Sequence, residues 1–140
     1  MNEQRSQAYL NFLIQVLQTS KEGNSNPEVV YLLLQNNFEK LDDTFAEILY
    51  QWAITTLPTL ESKQIYGVAE VIFDFSKLIQ EFTLGNRGSN LEIAIKCYQA
   101  VGSVFTYDAF PYQWARVQNN LGNTYLYRIK GKKAENRPLA

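Results

Sequence analysis

The chain has 140 residues, a mass of 16.1 kDa, a net charge of −1, and 46% hydrophobic and 14% aromatic residues. That length suits one domain, with enough apolar side chains to bury a core and too few charges to keep the chain disordered. It has no histidine and one cysteine; this excludes a histidine base, a Ser-His or Cys-His nucleophile pair, most zinc sites and an internal disulfide.

Apolar residues recur at helical spacing along the whole chain, with no long alternating strand pattern. Tyr9, Leu13, Val16 and Leu17 form the first stripe, and Lys21 to Asn26 reads as a loop. Asn26 followed by Pro27 predicts an N-cap with proline at the first helical position. Val30, Leu33, Leu34, Phe38 and Leu41 make the second stripe. Asp42 and Asp43 are candidate caps for a third helix carrying Phe45, Ile48, Leu49 and Trp52. Pro58 marks its end. Helices two and three are alternatively one bent helix.

The fourth helix is predicted over about Ser62 to Phe82, with Ile65, Val68, Val71, Ile72, Phe75 and Ile79 on its apolar side. Gly85 to Asn90 is a loop. The fifth helix carries Leu91, Ala94, Ile95, Tyr98, Val101 and Phe105, and Asp108 to Pro111 turns the chain. The sixth carries Trp114, Val117, Leu121, Tyr125 and Ile129, with Gly131 expected to end it in a left-handed conformation. No linker is rich enough in Pro, Gly or Ser to divide the domain. The fold class expected is all-α, about six helices in antiparallel hairpins.

The longest wholly apolar run, Val29 to Leu34, is far short of the roughly 20 residues of a membrane span. Asn11 and Gln15 interrupt the N-terminal stretch, so a signal peptide is not expected. Cys97 alone suits a reducing cytosol, and the expected location is cytoplasmic. The near-zero net charge gives no general pull toward nucleic acid or membrane. Charge is nevertheless polarised. Residues 1–114 carry 7 basic and 13 acidic side chains, and residues 116–140 carry 6 basic and 1 acidic. The basic end, with Arg128, Lys130, Lys132, Lys133 and Arg137, reads first as a solvated helix end whose cations suit the helix dipole. Its other readings are an acidic partner or head-to-tail stacking of two copies.

Residues 65–94 overlay 111–140 at an offset of 46, with six identities: Tyr66/Tyr112, Ala69/Ala115, Val71/Val117, Gly85/Gly131, Asn90/Asn136 and Ala94/Ala140. Chance would give roughly two. A repeat of two helices reads as an α-solenoid unit, in which stacked hairpins share one core. On this register Ala140 falls where the second helix of a repeat should begin, so a fragment, or a last surface capped by something else, is expected.

Leu121, Gly122 and Tyr125, in Gln118-Asn119-Asn120-Leu121-Gly122-Asn123-Thr124-Tyr125, resemble the first helix of a tetratricopeptide repeat. Glycine there lets a neighbouring helix approach. Asn90 to Tyr98, with small Ala94 and aromatic Tyr98, resembles the second helix. The wider string holding Tyr107-Asp108-Ala109-Phe110-Pro111, Gln113-Trp114-Ala115 and Asn119 to Asn123 is similar to the long-repeat variety. Cyanobacterial proteins pair that variety with a caspase-like (CHAT) peptidase domain. Asn26 to Tyr31 and Lys40 to Ala46 are similar to the lead-in of those proteins. The offset exceeds the usual repeat of about 34 residues. Phe75, Ser76 and Ile79 stand where the fourth helix would carry the Leu-Gly-Tyr trio. No histidine is present for a peptidase half.

The resemblance implies a short, right-handed, tetratricopeptide-like solenoid. Residues 1–60 are its lead-in, 61–110 a divergent hairpin, and 111–140 the first helix and the start of the second helix of a further repeat. It implies a non-enzymatic scaffold that binds a protein or peptide segment and needs no cofactor or metal. First helices line the concave face. The groove positions are therefore Arg116, Asn119, Asn123 and Tyr127, and the offset carries them to Glu70, Phe73, Lys77 and Glu81. Asn119 and Asn123 project from one face and serve either to capture a peptide or to order the helix stack. Leu126 and Ile129 are the expected apolar surface if the chain instead self-associates.

Other clusters have blander readings. Cys97 is expected in the core, with no activating neighbour. Glu70 and Asp74 read as a solvated helix face before a metal or catalytic pair. Gly85-Asn86-Arg87-Gly88 lacks the strand and lysine of a phosphate loop, and reads as Gly85 ending one helix with Ser89 or Asn90 starting the next. Trp52 and Trp114 read as packing anchors rather than base-stacking platforms.

Overall fold

The computed structural model describes residues 2–24 and 26–135, and these contain six α-helices and no strand. They are α1 (Glu3–Glu22), α2 (Pro27–Gln35), α3 (Asp43–Thr56), α4 (Ser62–Glu81), α5 (Arg87–Gly102) and α6 (Pro111–Glu135). Short 3₁₀ turns at Phe38–Lys40 and Leu57–Thr59 precede and follow α3.

The caps explain most of the boundaries. The Asn2 side chain accepts from the Arg5 backbone N–H, and Asn26 accepts from that of Glu28. Asp42 accepts from the Phe45 N–H at 2.9 Å. A side-chain acceptor there satisfies one of the donors every helix start leaves open. Asp42 therefore begins a separate helix, so α2 and α3 are not one bent rod. At α4, the Glu61 N–H donates to Gln64 Oε1 at 3.2 Å, half of a capping box.

The core runs through all six helices, with Leu13, Val16, Val30, Leu34, Phe45, Leu49, Ile72 and Phe75 among its buried members. Helix α5 is its axis. Ile93, Ala94, Ile95, Cys97, Tyr98, Ala100 and Val101 are all buried, so only the narrow strip of Glu92, Lys96 and Gln99 leaves α5 a polar side over this stretch. It packs against α3, α4 and α6, while α1 packs against α2, α3 and α4. Helix α4 thus touches both α1 and α6. The turn between α5 and α6 is pinned by aromatic rings: Tyr66 of α4 lies 5.7 Å from Phe105 and 5.6 Å from Phe110, centroid to centroid. The Gln113 side chain donates to the Tyr66 hydroxyl at 3.0 Å.

Several expectations are corrected. Helix α1 continues through Lys21 and Glu22. Phe38 is exposed, because α2 stops at Gln35 and the 3₁₀ turn breaks the phase that would have carried Phe38 inward. Asn86, not Ser89 or Asn90, caps α5 by accepting from the Ser89 N–H at 2.9 Å. Gly131 does not end α6, which runs on to Glu135. Glycine permits a left-handed residue without requiring one, and the lysines beside Gly131 are good helix formers. The second helix expected after Gly131 falls on residues 136–140, outside the described residues. Among the described residues, no helix is long and apolar enough to cross a membrane.

Candidate functional site

Three of the groove positions converge between α4 and α6. The Arg116 guanidinium lies 4.5 Å from the centroid of the buried Phe73 ring and 5.7 Å from that of Tyr112. A cation over an aromatic face is held by the ring quadrupole. Arg116 also reaches Glu70 at 4.0 Å, the outer limit of an ion pair. Burial pulls the Glu70 carboxyl above its ordinary range; Arg116 opposes this and the nearby Asp74 charge adds to it. Glu70 is thus part of a built contact, not the freely solvated carboxylate its spacing predicted.

Asn119 and Asn123 are exposed on α6, and neither side chain has a hydrogen-bond partner among the described residues. Lys77 is exposed one turn beyond Phe73, and Glu81 is exposed one turn further. Phe73 itself is core, so its ring face supports Arg116 rather than meeting a ligand directly. Tyr127 is set apart. It borders a second cleft of about 570 Å³ beside the first turn of α5, with Arg87, Arg128 and Lys132.

That second cleft holds the glycine-rich loop, and several polar groups in and beside it are already engaged. Arg87 donates to the Gln80 and Phe82 carbonyls at the end of α4. The Asn90 amide donates to the Phe82 and Leu84 carbonyls at 3.3 and 2.9 Å. Arg128 pairs with Glu92 at 2.8 Å. Gly85 has φ +76°, the left-handed turn that lets α5 fold back on α4.

Leu121 and Tyr125, the residues expected to dock α6, are both half-buried. Leu121 packs on the core, and the Tyr125 hydroxyl accepts from Gln99 of α5 at 3.1 Å. Val117 is the one fully buried apolar anchor of α6 among its described residues. A Cβ added at Gly122 would meet nothing within 4 Å. The expected close approach of a neighbouring helix at Gly122 is absent from the described residues.

The chain matches no protein-family model, no curated protein and no solved structure.

A third feature was not singled out in the sequence. A cleft of about 730 Å³ lies between α1 and α4, floored by Trp52 of α3 and by Leu60. Glu70 borders it as well as touching Arg116, so the two regions adjoin. Its only advance signal was Gly67, a glycine in mid-helix. Cys97 is wholly buried, and burial pushes its thiol up to about 12, with the Ser76 side chain partly opposing. Among the described residues no group of three metal-ligating side chains comes together.

Proposed function

We propose that the chain is a non-enzymatic protein–protein interaction module: a long-repeat, tetratricopeptide-like scaffold holding a protein or peptide segment against α4 and α6. The observation that carries this reading is the Arg116 cluster. A cation braced by Phe73 and only loosely paired with Glu70 stands beside two amides, Asn119 and Asn123, that have no hydrogen-bond partner among the described residues. Such a set offers donors to a carboxylate or peptide carbonyl. The order of helix neighbours supports the solenoid part of the reading. In stacked hairpins each second helix meets its own first helix, the next first helix and the previous second helix. Helix α5 meets α4, α6 and α3. The buried Cys97 thiol and the lack of histidine favour binding over catalysis, and a cytoplasmic setting fits the single cysteine.

The test is selection of displayed random peptides on the full chain and on an Asn119→Ala, Asn123→Ala variant. Loss of binding with unchanged helicity by circular dichroism is expected. Equal binding by both proteins would remove the groove from the proposal.

A second reading, self-association, is favoured by one observation. Leu126, Tyr127 and Ile129 of α6 are 46%, 44% and 49% exposed. A second copy covering that face would remove them from water.

A further inference from the structure

The three buried serine and threonine side chains among the described residues differ in one respect. Ser76 donates to the Ile72 carbonyl at 2.8 Å and Thr124 to the Asn120 carbonyl at 2.8 Å. That back-bond to the preceding turn is how a helical hydroxyl normally satisfies itself. Ser20 is just as buried, yet its hydroxyl has no hydrogen-bond partner among the described residues. A buried hydroxyl without a partner is costly and rare in folded proteins. Ser20 is one of the residues bordering the α1/α4 cleft.

Gly67 borders the same cleft. Glycine inside a helix costs about 1 kcal/mol against alanine. The usual reasons for bearing that cost do not apply. Gly67 does not have positive φ, and a Cβ there would meet nothing within 4 Å. Having no side chain, Gly67 leaves its part of the cleft wall bare. Ile14, Leu17, Trp52 and Val68 supply apolar walls. The volume lies within the roughly 300–1,000 Å³ typical of binding pockets.

The rim is bipolar. Lys63 and Glu70 stand seven residues apart on α4, about 10 Å at the helical rise. Lys21 and Asp74 add one charge of each sign. Lys63 has no ion-pair partner among the described residues, and Glu70 has only the 4.0 Å contact. A distance of about 10 Å is spanned by about three residues of extended chain.

From the unsatisfied Ser20 hydroxyl, the open wall at Gly67 and the spacing of the rim charges, we infer that the α1/α4 cleft is a peptide-anchoring site. It takes an extended segment with a bulky apolar side chain flanked by an acid on the Lys63 side and a base on the Glu70 side. The apolar side chain lies against Trp52, and the buried Ser20 hydroxyl turns into the cleft to donate to a carbonyl of the segment. This rests on the interaction-module reading but moves the anchor away from Asn119 and Asn123.

The experiment is display selection of random heptapeptides on the full chain, followed by affinity measurement on a Gly67→Phe variant. Phenylalanine there fills the cleft from an exposed helix position, and a melting midpoint no lower than wild type checks that the fold is kept. The enriched peptides are expected to carry an acid and a base about three residues apart around a bulky apolar residue. They should bind Gly67→Phe about tenfold or more weakly, the loss of one buried anchor. Repeating the selection on Glu70→Gln should remove the enrichment of the base. Peptides that bind Gly67→Phe as well as wild type, or lack that pattern, overturn the cleft assignment while leaving the module reading intact. Enrichment of no sequence at all overturns both.

Discussion

The Tyr9 hydroxyl of α1 donates to the Asp42 carboxylate, whose other oxygen accepts the Phe45 N–H that opens α3. One side chain thus sets the start of a helix and its docking to another. The Tyr9 ring is buried and stacks near Phe45 at 6.4 Å, so the polar link lies against the core. Asp42→Ala should cost about 2–3 kcal/mol, the sum of a lost cap and an orphaned hydroxyl. Asp42→Asn keeps an acceptor and should cost clearly less. Tyr9→Phe should cost about 1 kcal/mol, and combining it with Asp42→Ala should add little. Urea midpoints of the single and double variants measure this; full additivity would show that the two groups do not cooperate.

Two glycines should respond in opposite directions. Gly85 holds φ +76°, so Gly85→Ala should destabilise by about 1–2 kcal/mol. Gly122 lies in mid-helix with open space around it, so Gly122→Ala should stabilise by up to about 1 kcal/mol. Thermal melting of the two variants tests both. Destabilisation by Gly122→Ala would mean that a helix does pack there in solution, as the repeat resemblance implied.

Most helix starts were legible because a cap is a local chemical requirement. Asn26 with Pro27, Asp42, and the stripes of α3 to α5 could be read directly from residue type and spacing. What spacing could not give was phase across a break. Phe38 fits the heptad-like stripe of α2 in sequence, but the helix ends three residues earlier. Glycine was also ambiguous. Gly85 and Gly131 align in the 46-residue overlay, yet Gly85 sits in the turn four residues past the end of α4 and Gly131 lies within α6. Of the groove positions, Arg116, Glu70 and Phe73 meet, because residues 46 apart fall on equivalent turns of α4 and α6. The α1/α4 cleft was hidden, since it arises from three segments whose stripes give no sign of where they leave a gap.

The core helix carries a pH liability. Burial holds the Cys97 thiol at about 12, against an ordinary value of 9.0. The neighbouring Tyr98 phenol is also raised, first by burial and then by the Cys97 and Glu81 charges. For a group whose folded pKa is raised, the stabilising contribution is complete below the unfolded value and is lost as pH rises toward the folded one. Between pH 9 and 12 the thiol alone should remove up to about 1.4 kcal/mol per pH unit. The melting midpoint should therefore fall above pH 9, and more gently for Cys97→Ala. Below pH 9 a thiol reagent should leave the native chain unlabelled until denaturant is added. Prompt labelling of the folded chain would mean that α5 opens readily.

Self-association has a specific surface to test. Leu126 and Ile129 lie three residues apart on α6, with Lys130 and Lys132 exposed just beyond. If a second copy covers this face, Leu126→Glu with Ile129→Glu should abolish the dimer. The cost to the monomer should be small, because neither side chain is core. Sedimentation across a concentration range separates the cases. An apolar contact should persist at high salt, whereas stacking of the basic end on the acidic remainder should dissociate as salt rises. A wild-type chain that stays monomeric at high concentration would leave the α6 face uncovered and remove self-association as the second reading.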